Sequence, residues 1–185
     1  MVQDVCDCCL EIFKKEYLKR YDGKLCLFSQ YSRRDLCVAY NYYTNCEGTI
    51  NGYQINRKDP NNMVCPIFVT YKKKEDIRAE INYADQFIDN ETLSWVTQHG
   101  RKLGNNEVVT ILNADKNGMK IPLFVQRNDY EDKLFYYLGT IHPILGSEKQ
   151  MKQKSEKGEM KDIVNIQFHL EQPIIDDLYR YLISD

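Results

Sequence analysis

Val64-Cys65-Pro66-Ile67-Phe68-Val69-Thr70-Tyr71, followed at once by Lys72, Lys73 and Lys74, is the run that decides the fold class. It is short, apolar, rich in β-branched and aromatic residues, and it stops at charge, so it reads as a strand. Runs of similar texture lie at 49–55, 93–98, 119–126, 134–142 and 163–170, separated by Gly, Asn and Asp clusters. No βαβ unit repeats among them. The pattern predicts an α+β fold, with a curved or barrel-like, mostly antiparallel sheet and flanking helices.

The helices are fewer. Residues 4–21 place Val5, Cys9, Ile12, Phe13 and Tyr17 on one face behind a capping Asp4, and Gly23 stops the run. Ser32 and Asp35 form a capping-box pair that opens a second helix to about Tyr42. Short helices are expected at 82–89 and 104–112. After Pro173, Ile175, Leu178, Tyr179 and Leu182 define a last amphipathic helix, Ile174 to Ile183. Residues 146–162 hold five lysines and no apolar period, which predicts a long mobile loop or a DNA-facing arm.

The 185 residues suffice for one domain, or for one domain with a helical appendage. Apolar residues make up 43% and the formal net charge is −2, so the chain does not hold a polyanion by bulk charge. The 14 tyrosines exceed what a core needs and suggest binding surface. No stretch has the length and apolarity of a membrane span, and the acidic N-terminal segment is unlike a signal peptide. The seven cysteines then read as reduced thiols of a cytoplasmic protein.

Chemistry concentrates between residues 65 and 98. Tyr71, then Lys72, Lys73 and Lys74, then Tyr83-Ala84-Asp85-Gln86-Phe87, then Trp95 and Thr97 bring basic groups, flat faces and one carboxylate together in sequence. These groups suit a nucleotide. Tyr71, Tyr83 and Trp95 read equally as core aromatics. Asp85 among aromatics needs solvent or a donor, and the exocyclic amine of cytosine or adenine is one. Arg101 and Lys102 can extend the lysines into a rim that contacts phosphates.

Elsewhere the sequence is quieter. Cys6 and Cys9 have CxxC spacing, but no second pair completes a tetrahedral zinc site, so neither metal nor cofactor is expected. His99, His142 and His169 are scattered. No Walker A loop, GxSxG or HExxH is present, so hydrolysis by this chain is not expected.

Several ordered blocks carry a resemblance. They are Tyr31-Ser32-Arg33-Arg34-Asp35, Gly52-Tyr53, residues 66–73, residues 83–87, Trp95, Leu123-Phe124-Val125 and Phe135-Tyr136-Tyr137-Leu138-Gly139. From about residue 22 to the end the chain resembles the C-terminal domain, long of unknown function, of bacterial proteins that join a phospholipase-D-type nuclease to a superfamily 2 helicase. That architecture is similar to ATP-dependent type IV restriction enzymes, which cut DNA carrying modified cytosine. The resemblance implies an SRA- or PUA-like recognition domain at 23–185, with residues 1–22 as a connector helix from the helicase part.

It further implies a partner, double-stranded DNA containing 5-methyl- or 5-hydroxymethylcytosine, read by base flipping. The parent's helicase and nuclease domains are implied partners too, and a membrane is not. Tyr71, Tyr83, Asp85, Trp95 and Thr97 would hold the base. Arg33, Lys72, Lys73, Lys74, Arg101 and Lys102 would hold the backbone. A reader of another modified base in DNA or RNA, a dimerisation module and a nuclease remain the alternatives.

Overall fold

The computed structural model describes residues 2–12, 20, 22–41, 52–57, 62–72, 85–128, 133–155 and 158–184. Four helices are described: α1 (Val2–Ile12), α2 (Arg33–Ala39), α3 (Asn106–Leu112) and α4 (Asp176–Ile183). The strands are β1 (Gln30–Tyr31), β2 (Ile67–Lys72), β3 (Gln86–Phe87), β4 (Thr92–Val96), β5 (Pro122–Asn128), β6 (Phe135–Pro143), β7 (Lys149–Lys154) and β8 (Met160–Leu170). They form one sheet in the order β2-β5-β6-β8-β4-β3, with β1 added to β6 and β7 to β8. Among the pairings of these described strands, β2–β5 alone is parallel, and the single bridge Val64↔Lys120 beside it is parallel too. The α+β class and the barrel-like sheet are therefore as the sequence implies.

β6 is where the sheet bends. Its first half pairs with β5 and β1, and its end pairs with β8. Pro122 faces Thr140 while Phe124 faces Tyr137, so β6 carries one extra residue between these pairs. Gly139 lies there with φ 89°, and a Cβ on it would come within 3.1 Å of Leu27 Cδ1. Glycine is the residue for a positive-φ bulge, and a bulge adds the local twist that lets a sheet curl. The bulge also resets the alternation, so Leu138 and Ile141, three apart, both enter the main core.

Alternation then sorts the sheet into two faces. Ile67 and Val69, Leu123 and Val125, Leu93 and Trp95, and Val164, Ile166, Phe168 and Leu170 point to the concave side. Val108 and Ile111 of α3 and Leu178 and Leu182 of α4 pack into the same core. On the convex side Phe68, Phe124, Phe135 and Tyr137 meet Leu36 and Cys37 of α2 and Tyr40, which caps it, in a smaller core. α2 starts as its sequence requires: Ser32 Oγ accepts from Asp35 N, and Asp35 accepts from Ser32 N at 2.8 Å.

Several expectations change. The helix expected at 82–89 is replaced, over its described part, by the two-residue strand β3. The run at 49–55 yields only single bridges at Tyr53 and Asn56 within its described neighbourhood. Residues 146–162 hold a hairpin rather than a structureless loop: β7 pairs with β8 from Lys149↔Asn165 to Lys154↔Met160. Met151 and Gln153 are the half-covered positions of β7, too polar a signal to stand out among lysines. Cys9, expected on the buried face of the first helix, is exposed with Cys6 and Cys8. Cys37 is disulfide-bonded, so not all the cysteines are thiols; its partner lies outside the described residues. No described helix is long and apolar enough to cross a membrane.

Candidate functional site

The two edges of the sheet meet at a seam. Tyr71, near the end of β2, stacks on Phe87 of β3 with ring centroids 5.9 Å apart and planes 18° apart. Tyr179 of α4 closes on Phe87 edge-on at 6.0 Å. The parallel register pairs Thr70 with Gln126 and Lys72 with Asn128. Tyr71 therefore stands beside Arg127 on the concave face, one strand spacing of about 4.8 Å away.

Beyond Arg127 the mouth of the barrel holds a cleft. It is lined by Gln30, Gln126, Arg127, Asn128, Leu134, Tyr136 and Tyr181, with a volume of about 50 Å³. The Arg127 guanidinium lies 5.3 Å from the Tyr181 ring centroid, and Tyr136 meets Tyr181 edge-on at 5.9 Å. Gln126 Nε2 donates to Thr70 Oγ1 at 2.9 Å, which ties β5 to β2 at the rim. Phe87, Tyr71, Arg127, Tyr181 and Tyr136 thus form an aromatic row with one guanidinium in it. A flat, polar-edged group can stack on such a row and exchange hydrogen bonds with it. The cleft is small beside the ~300 Å³ at which drug-sized ligand pockets begin, so it suits an edge of a ligand.

The residues singled out from sequence fall in different places. Tyr71 and Asp85 are half-buried near the seam. Asp85 Oδ1 accepts from Val96 N at 3.0 Å and so anchors the end of β4. Trp95 is only 2% exposed and is packed edge-on between Tyr53 at 4.9 Å and Phe168 at 5.7 Å. It is a core residue, and its ring has no open face for a base. Thr97 is likewise buried, with Oγ1 accepting from Val164 N at 2.9 Å. Tyr83, Lys73 and Lys74 lie outside the described residues, and Lys72 pairs along its backbone opposite Asn128.

The expected backbone-binding cations are mostly engaged. Arg101 Nε donates to Glu107 Oε1 at 3.1 Å, and Tyr53 donates its phenol proton to the same oxygen. Burial, with help from Glu107, raises the Tyr53 pKa well above its ordinary value, and Glu107 raises that of Arg101. Arg33 lies over the rings of Phe68 and Phe135, 5.2 Å from each, and burial lowers its pKa. It covers the convex core. Lys102 is 68% exposed and 3.5 Å from Asp162, which leaves it the most accessible of the described set.

Sequence reading missed Arg127, Tyr136, Tyr181 and their polar neighbours. The available signal was Gln126-Arg127-Asn128, three polar residues continuing directly from a buried strand. Among the described residues no group of three or more His, Cys, Asp or Glu side chains is arranged to hold a metal ion.

A family model described as "Domain of unknown function (DUF3427)" matches residues 25–182. The chain belongs to the DUF3427 family. A comparison with curated proteins finds no match. Among solved structures, the DUF3427 domain shares its fold with the DNA modification-dependent restriction endonuclease AspBHI. The TM-score is 0.52 at 14% identity, over 83% of this chain and 79% of that one. Weaker likenesses are to MspJI restriction endonuclease in complex with a 27-mer oligonucleotide (TM-score 0.44, 11% identity, 66% of this chain and 32% of that one). The other is the sulfur binding domain and SRA domain of ScoMcrA complexed with phosphorothioated DNA (TM-score 0.46, 9% identity, 87% of this chain and 46% of that one). The DUF3427 domain thus spans about a third of the MspJI chain and less than half of the ScoMcrA chain. α1 lies wholly outside the matched segment.

Proposed function

We propose that this DUF3427 domain reads a modified base in double-stranded DNA as the target-recognition part of a restriction system. The observation that carries the reading is the mouth of the barrel. Gln30, Gln126, Arg127, Asn128, Tyr136 and Tyr181 line its cleft, with Tyr71 opposite Arg127 on the neighbouring strand, on a fold shared with a modification-dependent endonuclease. In this reading 5-methyl- or 5-hydroxymethylcytosine leaves the helix, stacks on the aromatic row and offers an edge to the cleft.

The energetics favour such a division of labour. Extruding a base costs a few kcal/mol. Stacking on an aromatic returns ~1–3 kcal/mol, and one buried methyl adds only about 0.8 kcal/mol. Discrimination must then come largely from polar groups that a wrong base leaves unpaired. Arg127, Gln126 and Asn128 line the cleft that such an edge would meet. Tyr71 supplies a stacking face, and Asp85 is the acceptor for the cytosine amine. Cutting is assigned to nuclease and helicase domains of the parent protein.

A second reading has its own support in α1. Val5 and Leu10 are 59% and 51% exposed there. A helix with exposed apolar side chains fits a connector that docks on a neighbouring domain, or a dimer contact. Titration of two duplexes that differ only by the modification separates the readings. Tighter binding of the modified duplex supports the reader. Equal binding by a chain that dimerises in sedimentation supports the second.

A further inference from the structure

The β7–β8 hairpin is braced on both faces. Over one face, His99 Nε2 meets Gln153 Oε1 at 3.2 Å. Over the other, Gln150 Oε1 accepts from Leu103 N at 3.0 Å, and its Nε2 donates to Ile163 O at 2.9 Å and to Arg101 O at 3.3 Å. On the far edge of β8, Thr97 N donates to Val164 O and Gly100 N to Asp162 O. Residues 97–103 thus act as a third rail, and the hairpin is a stiff ribbon.

One face of that ribbon presents lysines. Lys152 and Lys154 alternate onto one face, the face that also bears Asp162, which the register sets directly opposite Lys152. Lys102 reaches the same carboxylate from the 97–103 rail. Lys102, Lys152 and Lys154 thus share this face with Asp162, which pairs with Lys102. The lysines are exposed, in a chain whose net charge is −2. Lys152 and Lys154 lie two residues apart along a strand, about 7 Å, close to the rise of two nucleotides along one DNA strand.

We propose that this face of the ribbon is a phosphate-contacting arm for a nucleic-acid backbone, with Lys152, Lys154 and Lys102 as its contacts. The proposal rests on the reading of the domain as a DNA reader, and it assigns the arm a role separate from base choice. Stiffness matters to that role, because lysines on a braced strand lose less freedom on binding than lysines on a loose loop. A phosphate contact fixes position without reading sequence. The arm therefore adds equally to the affinity for modified and unmodified DNA.

The test compares the full chain with Lys152→Ala/Lys154→Ala in titrations of modified and unmodified duplexes over a salt series. Both residues are exposed, so melting should not move. The expected result is affinity about tenfold lower for both duplexes, with a salt slope shallower by roughly 0.9 per lost contact. The modified-to-unmodified ratio stays unchanged. An unchanged slope, in a wild type that prefers modified DNA, overturns the arm and leaves the reader standing. A slope that falls, in a wild type without preference, supports the arm and overturns the reader. A wild type that binds neither duplex at low salt overturns both.

Discussion

Tyr71 and Phe87 stack across the seam of the barrel, joining strands at opposite ends of the sheet order. One contact therefore serves both stability and the candidate site. An aromatic pair contributes about 0.5–1.5 kcal/mol beyond the area it buries. Tyr71→Ala should lower the unfolding free energy by about 1–2 kcal/mol and weaken modified-duplex binding, whereas Tyr71→Phe, which keeps the stacked ring, should lose less of each. Thermal melts and duplex titrations of the two variants check this. An alanine variant normal in both measurements contradicts the seam.

Trp95 gives the opposite signature. Enclosed by Tyr53 and Phe168, it should cost ~3–5 kcal/mol of stability when truncated to alanine. The fraction that remains folded should keep whatever preference for modified DNA the wild type has. Denaturant melts would expose a wrong assignment by showing an unchanged midpoint.

Limited proteolysis separates a ribbon from a loop. Within 146–162, cleavage should be confined to the turn around Ser155 and Gly158, because Lys149–Lys154 pairs along its whole length with Met160–Asn165. Mass spectrometry of early fragments locates the cuts. Early cutting between Lys149 and Lys154 is the outcome that the pairing forbids.

The legible part of the fold is the part with strong period. Strands 64–71, 93–98, 119–126, 134–142 and 163–170 each overlap an observed strand, because each buries an alternating or continuous apolar set. β7 was illegible because its half-covered side chains are Met151 and Gln153, and it is braced through its own side-chain amides, Gln150 and Gln153. The site was half legible. Tyr71 and Asp85 do lie near the seam. Trp95 was ambiguous because an aromatic at an alternating position fits a core and a stacking platform equally. Arg127 stayed hidden because its role depends on Tyr181, which is far away in sequence.

Alkaline pH should loosen the fold through its buried phenols. Burial raises the pKa values of Tyr53 and Tyr137 strongly and pushes that of Tyr40 up to about 12. Their folded pKa values lie above the unfolded value near 10, so the unfolded state releases these protons first. Their stability contribution is complete below about pH 10 and declines as pH rises toward the folded values. Absorbance titration at alkaline pH should show late-ionising tyrosines whose ionisation coincides with loss of structure. Uniform ionisation near pH 10 in an intact fold contradicts the burial.

Polar groups at the barrel mouth are proposed to read a modified base. The most direct measurement is the ratio of affinities for two duplexes differing only by one 5-methylcytosine, in wild type and in Arg127→Ala, at one fixed salt concentration. Wild type should prefer the modified duplex, and Arg127→Ala should bring the ratio close to one while the variant stays folded. A wild-type ratio of one, or a preference untouched by Arg127→Ala, contradicts this reading.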